Sequence, residues 1–322
     1  MIPGKCVHFS LLQAFFWILI PTSSFSKDFR VIDNLWYTNS GNKRHHLDLF
    51  IPQERKKLNS HPSTELNALP LVVWIHGGGW RHGNKESARN PARLPKLIET
   101  GRYAGASINY RLSGETKWPS QVHDCKAAIR WLRGNVARYG IDPKKIAVWG
   151  SSAGGHLASM LGVSANNPEL EGNLGSFQNI SSRVQAVINY YGPSSFLKMD
   201  NYPSKINHRS PDSPESKLLG IPIHKNRRAA KGASPFHYVK NGLPPFINFH
   251  GTDDLLVPYN QSLILHEKLV SYGNSSSLIT VPNGGHFMPA HFTEKIVIPF
   301  LDFQFYNVGK KTENKSILLR RN

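Results

Sequence analysis

The chain has 322 residues, 39% hydrophobic and 11% aromatic, with 39 Lys and Arg against 21 Asp and Glu for a net charge of +18. That apolar fraction excludes wholesale disorder and collagen-like or low-complexity chains, and the length allows a sizeable core without metal or disulfide staples. The two cysteines, Cys6 and Cys125, exclude a disulfide framework and a four-cysteine zinc site.

Lys5, the apolar run Phe9 to Ile20, Pro21, and the small residues Ser24 and Ser26 before Lys27 compose a secretory signal peptide over residues 1–26. The chain is therefore expected to be secreted or periplasmic. The apolar run falls short of the ~20 residues that span a bilayer, so stable membrane insertion is not expected. Val31 to Tyr37 and His45 to Ile51 are predicted to pair as an antiparallel edge. Leu71 to Ile75, rich in β-branched residues and flanked by prolines and glycines, reads as a buried strand. Further strands are expected at Tyr103 to Tyr110, Ile146 to Trp149, Val184 to Tyr191, Pro245 to His250 and Ser277 to Val281. Helical patterns fall at about 87–100, 120–139, 153–164, 259–272 and 290–307. Asp142-Pro143 predicts a turn before the Ile146 strand.

Strands alternating with helices imply an α/β fold, a mostly parallel sheet with helices on both faces, in one domain over 27–322. Two stretches break the rhythm. Residues 193–235, rich in Ser, Pro and Lys and carrying eight Lys and Arg against three Asp and Glu, read as a cap or lid insertion. Its basic residues include Lys205, Arg209, Arg227 and Arg228. Residues 308–322 form a basic tail (Lys310, Lys311, Lys315, Arg320, Arg321) expected to be disordered. Elsewhere the surplus charge is spread out and not interleaved with aromatics. No nucleic-acid partner is expected, and the charge reads as solubility with weak attraction to polyanions. Cys125, on a helical pattern, reads as an inert buried thiol.

Gly150-Ser151-Ser152-Ala153-Gly154 follows one predicted strand and opens one predicted helix. Glycine at both −2 and +2 singles out Ser152, because a nucleophile on a sharp strand-to-helix turn needs flanking backbone free of Cβ clashes. His76-Gly77-Gly78-Gly79-Trp80 ends the Leu71 strand. Successive glycines let backbone amides face a site, so Gly78 and Gly79, with the amide of Ala153, are candidates for an oxyanion hole. No G-K-[ST] follows, which disfavours a phosphate loop. His76 reads as a structural hydrogen-bonder, and Trp80 as packing under the loop or lining the pocket.

A nucleophilic serine requires a base, and the base an orienting carboxylate. His250-Gly251-Thr252-Asp253-Asp254-Leu255-Leu256-Val257-Pro258 follows the Pro245 strand, and Asn283-Gly284-Gly285-His286 follows the last one. The order serine, aspartate, histidine along the chain suits an open α/β sheet, with each residue at a strand's carboxyl end. Ser152 and His286 are the candidate nucleophile and base. Either Asp253 or Asp254 can orient the imidazole, and the other is expected to bond the loop's own amides. His208, His224 and His291 lack such context and read as solvated loop histidines.

These motifs, with Asn109-Tyr110-Arg111-Leu112, Trp118-Pro119, Asp124 and Tyr139-Gly140-Ile141-Asp142-Pro143, resemble the α/β-hydrolase esterases. They are most similar to the branch related to the feruloyl-esterase domain of bifunctional xylanases, over about Leu47 to Phe305. The resemblance implies a carboxylic-ester hydrolase with a Ser-Asp-His triad and no cofactor or metal. It places the carboxylate four residues after the His of the His-Gly pair, on Asp254, and maps the oxyanion loop onto Gly78 and Gly79. It also implies that 193–235 shapes substrate choice, with small acyl esters, acetyl or feruloyl, on small molecules or polysaccharide as the expected partners. A formamidase, a peptidase of the prolyl oligopeptidase group, and a catalytically silent binding module on the same fold are the competing readings.

Overall fold

The computed structural model describes residues 23–25, 28–56, 68–90 and 93–318. Most of the expected signal peptide, and the last two arginines, lie outside the described residues. The sheet comprises β1 (Ser23–Phe25), β2 (Phe29–Trp36), β3 (His46–Pro52), β4 (Leu69–Ile75), β5 (Ala104–Ile108), β6 (Ile141–Ser151), β7 (Ala186–Tyr190), β8 (Phe246–Gly251), β9 (Ser276–Val281) and β10 (Lys315–Ser316). The helices are α1 (Leu94–Ile98), α2 (Ser120–Gly134), α3 (Val136–Tyr139), α4 (Ala153–Val163), α5 (Pro168–Glu171), α6 (Pro214–Leu219), α7 (Arg227–Gly232), α8 (Asn260–Ser271) and α9 (Ile298–Tyr306). The strand order is β1-β2-β3-β5-β4-β6-β7-β8-β9-β10. β2 and β3 form the expected antiparallel edge, β1, which lies within the expected signal peptide, adds an unforeseen antiparallel strand to it, and from β5 through β10 every pairing is parallel.

All seven residues of β4 are buried, because a central parallel strand is covered on both faces. Leu71, Val73 and Ile75 enter one core with α2, α4 and α8, whereas Val72 and Trp74 enter the other with α1 and α9. On that second face an aromatic ladder crosses four strands: Trp74 meets Trp149 at 5.3 Å, Trp149 meets Tyr190 at 5.4 Å, and Tyr190 meets Phe249 at 4.7 Å. Each such buried side chain contributes about 1.5–3 kcal/mol. The ladder thereby locks together the strands that carry the site. Cys125 is buried and unpaired, and burial pushes its thiol pKa up.

Several elements depart from the sequence reading. The helix expected over 87–100 is a 3-10 turn (Lys85–Arg89) and the short α1, because residues before prolines leave the helical region, as Asn90 does at φ −53, ψ 116. The 120–139 pattern divides at Asn135, after Gly134, both weak helix formers. The last helix begins as a π turn (Thr293–Val297), where Pro299 supplies no amide to the ladder. Asp142-Pro143 is not a turn ahead of β6 but a bulge within it, where the pairing steps from Leu69↔Ile141 to Leu71↔Ile146. The tail is a clearer correction. It was expected to be disordered from residue 308, yet Lys315 and Ser316 pair with Ile279 and Thr280, and Ser277 Oγ donates to Thr312 O at 2.5 Å. Its net charge concealed Thr312, Asn314 and Ile317, which satisfy the exposed edge of β9.

Candidate active site

The Gly150–Gly154 turn is compelled by its own backbone. Ser152 sits at φ 55, ψ −122, a strained conformation, between the end of β6 and the start of α4, with its amide donating to Tyr190 O at 2.8 Å. A methyl at Gly150 would overlap the carbonyl of Gly154, and one at Gly154 would overlap the carbonyl of Ile75. Only glycine at both positions lets strand and helix cross this closely. Ser151, one residue earlier, ends β6 and is buried, with its side chain near that of Tyr191.

The loop after β4 is held from beneath. His76 is buried, stacks on Tyr110 at 4.3 Å, and its Nδ1–H donates to Gly77 O at 2.7 Å. Burial pushes His76 down to about 4, so it is a neutral structural group at physiological pH. The Tyr110 hydroxyl donates to His76 O at 3.0 Å, and Arg111 grips Asp124 through its guanidinium and its backbone amide. The Asn109–Leu112 motif thus braces the glycine loop. Gly78, at φ 107 with the His82 carbonyl where a Cβ would stand, requires glycine, Gly79 at φ 58 favours it, and Trp80 is buried against His156 and Phe196. The Gly78 and Gly79 amides find no acceptor among the described residues, and Ala153, first in α4, has none within its helix. These three donors are open to a ligand.

On the far side, β8 and β9 deliver two loops that are tied together. Thr252 N donates to Val281 O at 3.0 Å, Asp253 N to Gly284 O at 2.9 Å, and Asn283 N to Thr252 Oγ1 at 2.8 Å. His286 Nδ1–H donates to Asp254 Oδ2 at 2.6 Å. A carboxylate accepts only, so Nδ1 carries the proton and Nε2 is left as a lone pair. Asp253 points elsewhere: it is exposed and accepts from the Thr252 hydroxyl at 2.9 Å.

The bonding of loop amides, expected of Asp253, falls instead to Asp254. Its Oδ1 accepts from Leu256 N at 2.9 Å and Val257 N at 3.0 Å, while Oδ2 also accepts from His250 Nε2 at 3.2 Å. Burial alone would raise the Asp254 carboxyl, but the hydrogen bonds from His250 and His286 outweigh it and hold the group well below the usual carboxylate range.

Ser152, His286, Ala153, Gly78 and Gly79 all line one cavity of about 440 Å³, with Asp254 behind the imidazole. Three contributors escaped sequence reasoning. His250 is buried and bonds Asp254, Val257 O and Ser262 Oγ. Tyr191 packs its ring 4.4 Å from that of His286. The third is His208, expected to be a solvated loop histidine; it is buried and its Nδ1–H donates to Glu215 Oε2 at 3.0 Å. The signal for it was an acidic residue seven positions on, in a stretch whose composition looks solvent-facing.

The insertion is anchored at both ends. Gln261 Oε1 accepts from Ser194 N and Ser195 N, and Phe196 N donates to Ser234 Oγ. It lends Pro193, Ile206, Pro214 and Glu215 to the cavity, whereas Lys205, Arg209, Arg227 and Arg228 are exposed and do not line it. Among the described residues no cluster of three His, Cys, Asp or Glu is placed to hold a metal ion, and no helix is long and apolar enough to cross a membrane.

The BD-FAE family model matches residues 59–269. The chain is 32% identical over 218 residues to Esterase LipC of Mycobacterium tuberculosis, covering 67% of this chain and 52% of that one. It thus spans about half the length of that curated relative. A truncated carbohydrate esterase from gut microbiota superposes with a TM-score of 0.75 at 30% identity, over 85% of this chain and 95% of that one. A bifunctional GH43-CE protein of Bacteroides eggerthii gives 0.75 at 32%, over 85% of this chain and 38% of the other. The chain has the α/β-hydrolase fold and belongs to the BD-FAE family of esterases.

Proposed function

We propose that the protein is a serine carboxylesterase that hydrolyses small acyl esters through an acyl-enzyme on Ser152, using a Ser152–His286–Asp254 triad. One observation carries the reading. A strained-elbow serine shares its cavity with a histidine whose Nδ1 is fixed by a buried carboxylate, which leaves Nε2 free as base. Ser152 Oγ attacks the ester carbonyl carbon while His286 Nε2 takes its proton. The carbonyl oxygen becomes an oxyanion, held by the Gly78, Gly79 and Ala153 amides; one such donor is worth roughly 3 kcal/mol. His286 then protonates the departing alcohol. Water, deprotonated by the same nitrogen, attacks the acyl carbon; the acyl–Oγ bond then breaks, and His286 returns that proton to Ser152 Oγ as the carboxylic acid departs. Asp254 stays ionised throughout and stabilises the imidazolium.

Acetyl or feruloyl esters on carbohydrate are the proposed substrates. The names of the two structural relatives, both carbohydrate esterases, support this, and a cavity near 440 Å³ admits a small acyl group with a sugar ring. Export with cleavage before Lys27 is part of the proposal; it would remove β1 and leave β2 through β10. The test is initial rates on p-nitrophenyl esters from acetyl upward, beside methyl ferulate and acetylated xylan, for the wild type and Ser152→Ala. Loss of all turnover in Ser152→Ala with an unchanged Tm is expected. A serine-directed phosphonate that fails to label Ser152 would replace the esterase reading with a silent binding module.

A further inference from the structure

We propose that Glu215 selects the substrate: its free carboxylate oxygen accepts a hydrogen bond from a hydroxyl on the alcohol part of the ester, favouring esters of polyhydroxylated alcohols over those of simple alcohols. This rests on the esterase reading above and names a residue that reading does not use.

Glu215 is only 2% exposed, yet it lines the cavity that holds Ser152 and His286. Its two oxygens have different fates. Oε2 accepts from His208 Nδ1–H at 3.0 Å, whereas Oε1 takes no hydrogen bond from any described residue and keeps surface open to the cavity. The support beneath it is rigid. His208 N donates to Asp200 Oδ1 at 2.9 Å, and Ser213 Oγ donates to His208 O at 2.9 Å while accepting from Ser216 N at 3.1 Å. The neighbouring Pro214 packs against the glycine loop, where a methyl on Gly79 would lie 3.4 Å from its Cβ. The insertion therefore presents a fixed acceptor beside the residues proposed to hold the oxyanion.

A purely structural carboxylate would be expected to spend both oxygens on the protein, because a buried charge left half-partnered destabilises the fold. The other cavity residues from the insertion (Pro193, Ile206, Pro214) are apolar, so Glu215 is the polar group it contributes. Water can complete it in the open cavity, and a ligand that displaces that water must supply a donor of its own. Arg81 lines the same cavity and opposes a cationic ligand group, which leaves neutral hydroxyls as the matching chemistry.

The experiment compares kcat/KM of the full chain on a monoacetylated methyl xyloside with a free neighbouring hydroxyl and on its deoxy analogue. The pair is run for the wild type, Glu215→Gln and Glu215→Ala, with p-nitrophenyl acetate and acetylcholine alongside. The wild type is expected to favour the hydroxylated ester by about tenfold or more, as a hydrogen bond to a charged group does. Glu215→Ala should bring the two esters within about twofold, with Glu215→Gln, which keeps a neutral acceptor, in between. Equal wild-type rates on the pair overturn the proposal whether or not either variant folds. So does a preference that survives in Glu215→Ala, an equal fall on every substrate, or a preference for acetylcholine. Failure of the wild type on p-nitrophenyl acetate would instead defeat the esterase reading itself.

Discussion

Two histidines built into the site's framework should make the protein lose stability in mild acid. His76 and His156 are buried, and burial pushes each down to about 4. His76 spends Nδ1 on Gly77 O and His156 spends Nε2 on Ala233 O, and the other ring nitrogen of each has no partner among the described residues. Protonation would bury an unpaired N–H⁺. The unfolded chain takes up the proton near pH 6.5, the folded chain only near 4, so stability is full above 6.5 and declines as the pH falls between those values. At about 1.4 kcal/mol per pH unit, acidification from pH 7 to 4.5 should remove roughly 2–3 kcal/mol per histidine, about 5 for the pair. That is a large part of an ordinary domain's 5–15 kcal/mol.

Asp254, Asp124 and Glu171, whose carboxyls lie below their usual values, add their loss only at lower pH. Asp33 and Asp302, raised by burial, act in the opposite sense and offset part of the effect near pH 4.5. Urea unfolding at pH 7.0 and 4.5 measures this in the wild type and in His156→Gln, which keeps a donor for Ala233 O. The variant starts lower, having lost the ring packed against Trp80 and Phe196, but should lose about 2 kcal/mol less on acidification. Equal losses in the two proteins would refute the assignment.

On the proposed mechanism, Asp254→Asn should lower kcat on p-nitrophenyl acetate by ~10⁴, since an amide in that place favours the wrong imidazole tautomer; Asp253→Asn should retain most of the rate, and the reverse order would reassign the carboxylate. Gly154→Ala, whose methyl meets the Ile75 carbonyl, should cost at least about 3 kcal/mol or prevent folding, as read by soluble yield and Tm; a variant of normal Tm would mean that the elbow yields. Ser151→Ala should keep most activity, because the strained elbow belongs to Ser152, whereas Ser151 still lies in β6. N-terminal sequencing of secreted protein should begin near Lys27, and an intact Met1 would end the export proposal.

The parts of the fold legible in the sequence are those whose pattern is local. Leu71 to Ile75 of β4 and Ile146 to Trp149 of β6 are unbroken apolar runs because both faces are covered, and the loops at their ends need glycines that few other contexts require. What escaped depends on partners far along the chain. His250 looked like a spacing marker, and nothing nearby signals that its Nε2 reaches Asp254 and Val257 O. His208 and Glu215 lie in a Ser, Pro and Lys-rich stretch, where composition argues for solvent although Phe196, Met199 and Leu218 bury the segment. The tail misled for the same reason: its charge is visible, whereas the vacant edge of β9 is a property of the sheet.

The two oxygens of Asp254 join these levels. Oδ1, bonded to the amides of Leu256 and Val257, fixes the loop's shape, and that shape points Oδ2 at His286. His250 secures the same turn from beneath through Val257 O, so it acts on the imidazole only through Asp254. The neighbouring loop is held against this one by Gly251, where any side chain would strike the Gly284 carbonyl. An aspartate at this position therefore serves conformation and electrostatics at once, and an alanine would remove both. An asparagine keeps an acceptor for the two amides while surrendering the charge. It is the substitution that separates the loop's architecture from the proton chemistry proposed for it.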